Sequence, residues 1–290
     1  MNNNKLVQTS TSDGLILHGY YVPSKDKRIA VLQVHGLAGN FYEDTFTHIF
    51  AQEFEEQSIG YLTANNRGNG KDMDFNKVNG DSVRIGSQYE LLEEAHLDIT
   101  AWLKILIDEG YKEIVLMGHS AGSVKAVRYL FEGELKDKIT KLILLSPIDV
   151  LGFRLAKGRI DIDGFLKQAQ MKVDEGKGNE LITSEFDHDT LSYKTFISWY
   201  RRDDLGRMFD FFDKDYDFQI LKHINIPTKI LVGSNDEYFH PSNPSHPQEA
   251  MDILLKNISN SKGKTIEGAA HSFKPYENVM VKAVSSFVLD

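Results

Sequence analysis

Cysteine is absent from the 290 residues. That absence excludes disulfides, thiolate catalysis and thiolate metal sites, and it fits a reducing compartment. Long apolar runs are missing as well. No stretch approaches the roughly 18 apolar residues of a membrane span. The opening Met1-Asn2-Asn3-Asn4-Lys5 has no apolar run behind it to form a signal peptide. The sequence therefore predicts no stable membrane insertion and a cytoplasmic location. Positive charge is in deficit, with 33 Lys+Arg against 42 Asp+Glu and a net charge of −9. Basic residues never run longer than two in succession, so the chain repels a phosphate backbone and no nucleic-acid partner is expected. Internal repeats and low-complexity segments are also missing.

What is present is ordinary for a soluble globular protein: 41% hydrophobic and 26% charged residues. A chain of this length buries roughly three quarters of its surface, enough for one large core with or without an inserted subdomain. Short apolar runs alternate with longer amphipathic ones, which predicts an α/β fold: a mostly parallel central sheet flanked by helices. Two β-rich runs, Leu6 to Thr11 and Leu15 to Val22, are joined by Asp13-Gly14, a hairpin signal. Buried strands follow at Ile29 to Val34 and Ile59 to Thr63, with a helix over Tyr42 to Glu56 between them. Residues 65–86 are polar and Gly-rich and read as loop. Ser87-x-x-Glu90 reads as a capping box opening a helix that Gly110 ends. Further strands are expected at Glu113 to Met117, Leu142 to Leu145, Thr228 to Val232 and Gly263 to Glu267. Helices are expected from residue 121 to about Phe131, over Pro247 to Asn257 and over Pro275 to Leu289.

Residues 147–222 break this pattern. They are rich in aromatics and contain helical stripes such as Tyr193, Phe196, Ile197 and Tyr200, with no parallel-strand run among them. They are expected to form a helical insertion, leaving 1–146 and 223–290 as the core. If the insertion covers a pocket, Tyr193, Phe196, Trp199 and Tyr200 are the candidates to line it; packing within the insertion explains such stripes equally well.

Gly118-His119-Ser120-Ala121-Gly122 matches G-x-S-x-G. The pattern alone is weak, but here it lies between an expected buried strand and an expected helix, the context a nucleophile elbow needs. Small residues on both sides of Ser120 permit a turn that thrusts its hydroxyl out at the top of the sheet. A serine hydroxyl needs a base, and the base needs an orienting acid. His271 follows the last expected strand, and Asp236 follows the one before it. Glu237 and Asp149 are alternative acids. An oxyanion needs N–H donors. The backbone N–H of Ala121 is one, and Leu37 N–H, in the loop His35-Gly36-Leu37-Ala38-Gly39, is the other.

Together these segments, with Gly233-Ser234-Asn235-Asp236 and Ala270-His271-Ser272, resemble the α/β-hydrolase superfamily over nearly the whole chain. Arg67-Gly68-Asn69-Gly70 is similar to a segment of the monoacylglycerol-lipase and serine-aminopeptidase-like branch. The loop after His35 lacks the His-Gly-Gly-Gly run of some lipases and esterases. The resemblance implies the fold and a Ser120–His271–Asp236 triad. The reading that follows is a serine hydrolase of a carboxylic ester, with no metal and no cofactor, acting on a neutral, partly apolar small molecule. Amide, thioester or C–C hydrolysis, or acyl transfer, would use the same triad. A ligand-binding protein on this fold is the rival of another class.

Weaker signals receive plainer readings. Gly68-Asn69-Gly70-Lys71 is not a phosphate loop, because Asn65 stands where its first glycine is needed and Asp72 where Ser or Thr is needed. His35 and His119 are expected to be structural or pocket-lining. Asp187-His188-Asp189 reads as a solvated turn, and the stretch holding His240 and His246 as a loop.

Overall fold

The computed structural model describes residues 4–156, 161–182, 190–213, 215–239 and 247–290. The Asp187-His188-Asp189 turn, His240 and His246 lie outside them. An eight-stranded sheet forms the centre, in the order β1 (Lys5–Ser10), β2 (Ile16–Val22), β4 (Gly60–Ala64), β3 (Ile29–Val34), β7 (Glu113–His119), β8 (Ile139–Leu145), β9 (Thr228–Gly233) and β10 (Ser261–Ile266). β2 pairs antiparallel with β1 and with β4, and all other neighbours are parallel. A small hairpin, β5 (Asp74–Asn76) and β6 (Ser82–Arg84), stands apart.

The central strands are continuous apolar runs because helices cover both faces. Successive side chains go to opposite layers. Ala30, Leu32, Ile114, Leu116, Leu142 and Leu144 enter one core, whereas Ile29, Val31, Val115, Met117, Ile143 and Leu145 enter the other. The first layer receives α2 (Ala95–Asp108), α3 (Ala121–Glu132) and α8 (Pro247–Asn257). The second receives α1 (Thr47–Glu56) and α9 (Glu277–Leu289), which pack on each other. The edge strand β10 is mostly exposed and carries Lys262 and Lys264, charges that discourage further strand pairing.

Local chemistry moves several expected boundaries. The helix expected from Tyr42 starts at Thr47, because Asn40 Oδ1 accepts the N–H groups of Tyr42 and Glu43 and holds an Asx-type turn. Residues 65–86 are not all loop; they contain the β5–β6 hairpin. Ser87 and Glu90 do not form a capping box. The helix begins at Ala95 after a 3-10 turn over Leu92–Glu94. Glu90 is withdrawn from capping by Lys125 of α3, whose Nζ lies 2.7 Å from Glu90 Oε2, both side chains being fully buried. Strand β10 starts at Ser261 rather than Gly263, and α9 starts at Glu277, two residues past Pro275. Gly110, at φ +89°, ends α2 as expected.

Between β8 and β9 the described residues form α4 (Val150–Ala156), α5 (Ile162–Asp174), α6 (Tyr193–Tyr200) and α7 (Gln219–Lys222). Asp161 and Ser192 cap α5 and α6 by accepting the N–H groups of Gly164 and Thr195. No helix among the described residues is long and apolar enough to cross a membrane.

Candidate active site

Strand β7 ends at His119, and α3 begins at Ala121. Ser120 between them has φ 55° and ψ −125°, a strained conformation for a residue with a Cβ. Packing imposes it. A Cβ on Gly118 would collide with the Gly122 carbonyl, and one on Gly122 with the Val34 carbonyl. The turn therefore closes only with glycine at both positions. Ser120 N–H is tied to Leu145 O of β8 at 2.9 Å. Ala121 is the first residue of α3, so its N–H has no acceptor within the helix and belongs to the positive end of the helix dipole.

The loop after β3 passes directly over this turn. A Cβ on Gly36 would stand 3.0 Å from Ser120 Cβ. His35 holds the loop in shape. Its Nδ1–H donates to Gly36 O at 2.7 Å, and its Nε2 accepts Asn66 N–H at 2.9 Å. Burial, helped by the Lys125 charge, pushes His35 down to about 3, so it stays a neutral tautomer at physiological pH. Its role is structural.

Asp236 and His271 follow β9 and β10. His271 Nδ1 is 2.8 Å from Asp236 Oδ1, which also accepts Tyr238 N–H at 2.9 Å and Phe239 N–H at 3.0 Å. Burial raises the Asp236 carboxyl, but its hydrogen bond and charge interaction with His271 outweigh that and hold it below the usual carboxylate range. Its second oxygen, Oδ2, is buried, and the Ser146 hydroxyl beside the carboxyl helps to lower it. His119 lines the pocket and steadies the histidine loop: its Nε2 lies 3.0 Å from His271 O, the carbonyl accepting. Burial and the His271 charge push His119 down to about 4. Tyr238 packs on the His271 ring at 4.6 Å between centroids.

The two alternative acids do other things. Glu237 Oε2 accepts the backbone N–H of His271 at 3.2 Å. Asp149 accepts Gly152 N–H at 2.6 Å, capping α4, and Phe212 N–H at 3.3 Å. Its burial, with Asp210 nearby, raises its carboxyl well above the ordinary range.

Ser120, His271, Leu37 and Ala121 share the wall of one cavity of about 270 Å³. Of the four aromatic candidates, Trp199 and Tyr200 of α6 lie in its wall. Tyr193 and Phe196 do not line it. Phe196 is fully buried within the helical layer, 4.9 Å from the Phe165 ring and 4.6 Å from the Tyr200 ring. Tyr193 is partly buried against the same core. Helical spacing groups these four residues but does not say which side of the stripe meets the cavity. The wall also contains Phe153, Arg154, Tyr238 and Asp44, which belong to none of the motifs in the sequence. The one local cue for Phe153 and Arg154 was Asp149, whose capping oxygen opens the short helix that carries them.

Comparison with known proteins agrees with this architecture. The model of the family described as "Protein of unknown function (DUF1749)" matches residues 89–289. A Mycoplasma pneumoniae protein named as an esterase/lipase is 25% identical over 253 residues, which cover 85% of this chain and 83% of that protein. Est1E of Butyrivibrio proteoclasticus, solved with ferulic acid bound, superposes with a TM-score of 0.66 at 19% identity, over 98% of each chain. The Pyrococcus furiosus esterase Pf2001 superposes with a TM-score of 0.64 at 17% identity, over 99% of this chain and 91% of its own. DcsB, solved with a substrate analogue, reaches 0.69 at 15% identity, over 99% and 98%. The fold is that of the α/β-hydrolases, and the chain belongs to the DUF1749 family.

Proposed function

We propose that this protein is a serine hydrolase of carboxylic esters, with Ser120 as nucleophile, His271 as base and Asp236 as orienting acid. The observation that carries the reading is the 2.8 Å bond from His271 Nδ1 to Asp236 Oδ1, beside a cavity shared with the strained Ser120. With Nδ1–H engaged by the carboxylate, Nε2 is the nitrogen left to take a proton. In the proposed cycle His271 Nε2 removes the Ser120 hydroxyl proton as Oγ attacks the ester carbonyl. The N–H groups of Leu37 and Ala121 hold the oxyanion. Asp236 stabilises the imidazolium, which then protonates the departing alcohol. Water, activated by the same histidine, releases the acid.

In this reading residues 147–222 are a cap over a core formed by 1–146 and 223–290. The cavity wall supports a partly apolar substrate, since Ile148, Val150, Phe153, Leu191 and Trp199 supply much of it. The names of the Mycoplasma relative and of the structural neighbours point to the same chemistry.

The test is hydrolysis of p-nitrophenyl esters of increasing chain length by wild type and Ser120→Ala. The expected result is wild-type turnover that falls at least 10⁴-fold in the variant, with unchanged circular dichroism. Equal activity in both would overturn the nucleophile assignment.

A further inference from the structure

Two imidazoles stand side by side in the cavity wall, His119 and His271, with ring centroids 5.1 Å apart. They are held in opposite ways. His119 is buried, with its ring T-shaped to Phe46 at 5.1 Å and near Phe273 at 6.4 Å. Its Nε2 carries the proton, because the His271 carbonyl 3.0 Å away can only accept. Burial and the His271 charge keep the ring neutral at ordinary pH, so it does not repel a charged His271. His271 instead has Nδ1 engaged by Asp236.

The turn that carries His271 is fastened to itself. Phe273 N–H donates to Ala270 O at 2.8 Å, and Ala270 N–H to Lys274 O at 3.3 Å. Those bonds shape the turn without fixing its distance from Ser120. Asp236 and the exposed Glu237, which hold Nδ1 and the backbone N–H of His271, both follow β9. The His119 bond runs elsewhere. It joins the carbonyl of His271 to the residue that immediately precedes Ser120 at the end of β7. The donor is buried, so water competes for it little.

We propose that His119 is a positioning residue for the base: its Nε2–H bond to the His271 carbonyl sets the approach of His271 Nε2 to Ser120 Oγ. The inference rests on the serine-hydrolase reading above. In that cycle His119 exchanges no proton and acts through His271. Proton transfer by a general base is sensitive to its distance from the reacting group. Without the bond the His271 turn shifts against β7. Both steps that use the base, attack by Ser120 and attack by water, then slow together. The cavity wall under α4 and α6 is left as it was. The signature is a fall in kcat that is the same for short and long acyl chains, with KM little changed.

The experiment measures kcat and KM on p-nitrophenyl acetate, butyrate and hexanoate for wild type, His119→Leu, His119→Gln and His119→Asn. Tm is recorded for each, and Ser120→Ala serves as the blank. Glutamine places its amide nitrogen where histidine carries Nε2, whereas asparagine places it where histidine carries Nδ1. We expect kcat to fall about 10²-fold in His119→Leu and His119→Asn on all three esters. KM should stay within about threefold of wild type, and His119→Gln should regain about tenfold of the lost kcat. Should His119→Leu fail to fold, the comparison of the Gln and Asn variants decides. Three results overturn the inference: kcat in a folded His119→Leu within about twofold of wild type, equal kcat in His119→Gln and His119→Asn, or a loss that lies in KM and changes with acyl chain length. With activity still abolished by Ser120→Ala, each of them leaves the hydrolase reading intact. Failure of wild type on every ester overturns the hydrolase reading and this inference with it.

Discussion

The two walls of the cavity are built by opposite means. The inner wall comes from the carboxyl ends of parallel strands: Gly36 after β3, Ser120 after β7 and His271 after β10. Its shape is set by backbone, since glycines at 118 and 122 leave no room for a side chain. The outer wall comes from α4 and α6, short helices between β8 and β9, and its shape is set by side-chain packing such as the Phe165–Phe196–Tyr200 cluster. Chemistry that tolerates little displacement belongs on rigid strand ends. Recognition of a substrate's shape can be left to packed side chains.

Variants can break this contrast, and the largest effect is expected on the inner wall. Asp236→Asn removes the carboxylate hydrogen-bonded to His271 Nδ1, the orienting acid of the proposed triad. We expect kcat for p-nitrophenyl butyrate to fall about 10³–10⁴-fold, measured at saturating substrate. The carboxyl is held below its ordinary value of 3.8 in the folded protein. Its contribution to stability is therefore present above that pH and is lost as pH falls through the folded value. The stability gap between wild type and Asp236→Asn should accordingly narrow as urea titrations move from pH 6 to pH 3.

The next largest effect lies where the two regions are joined. Lys125 and Glu90 are both fully buried, and the Lys125 ammonium stands 5.8 Å over the Trp199 ring of α6. Lys125→Met strands a buried carboxylate and should cost about 3–5 kcal/mol in urea unfolding, with the double variant Lys125→Met/Glu90→Leu regaining most of it. A single variant as stable as wild type would show that the pair is not what joins these elements. On the outer wall the effects should be smaller and of another kind. Trp199→Ala opens the cavity and should move the preferred acyl chain length upward by two or more carbons, at a cost of about tenfold in kcat/KM for short esters. The smallest effect sharpens the contrast: Tyr193→Ala, away from the cavity, should leave the chain-length profile unchanged and cost about 1 kcal/mol or less in stability.

Legibility in the sequence follows the same division. Buried parallel strands are continuous apolar runs, so β3, β7 and β9 could be read within two residues, whereas β8 begins at Ile139, three residues before the expected Leu142, because Thr140 and Lys141 interrupt its apolar run. The elbow could be read because its glycines are sterically obligatory. Ser87-x-x-Glu90 satisfies a local capping rule, and nothing near it in sequence reveals the lysine 35 residues away that claims the Glu90 carboxylate. The β5–β6 hairpin leaves no legible signal in the sequence, because strands of three residues are too short to show an alternation. Tyr193 and Phe196 were grouped with Trp199 and Tyr200 because a helical stripe has one period whichever neighbour it faces.

The sequence by itself determined the layered α/β architecture and the order Ser120, Asp236, His271, because both follow from local periodicity and backbone sterics. Tertiary structure alone decided which acid meets His271 and which aromatics face the cavity. Each of those is a contact between segments far apart in the chain. Its energy depends on burial and on partners that no local pattern encodes.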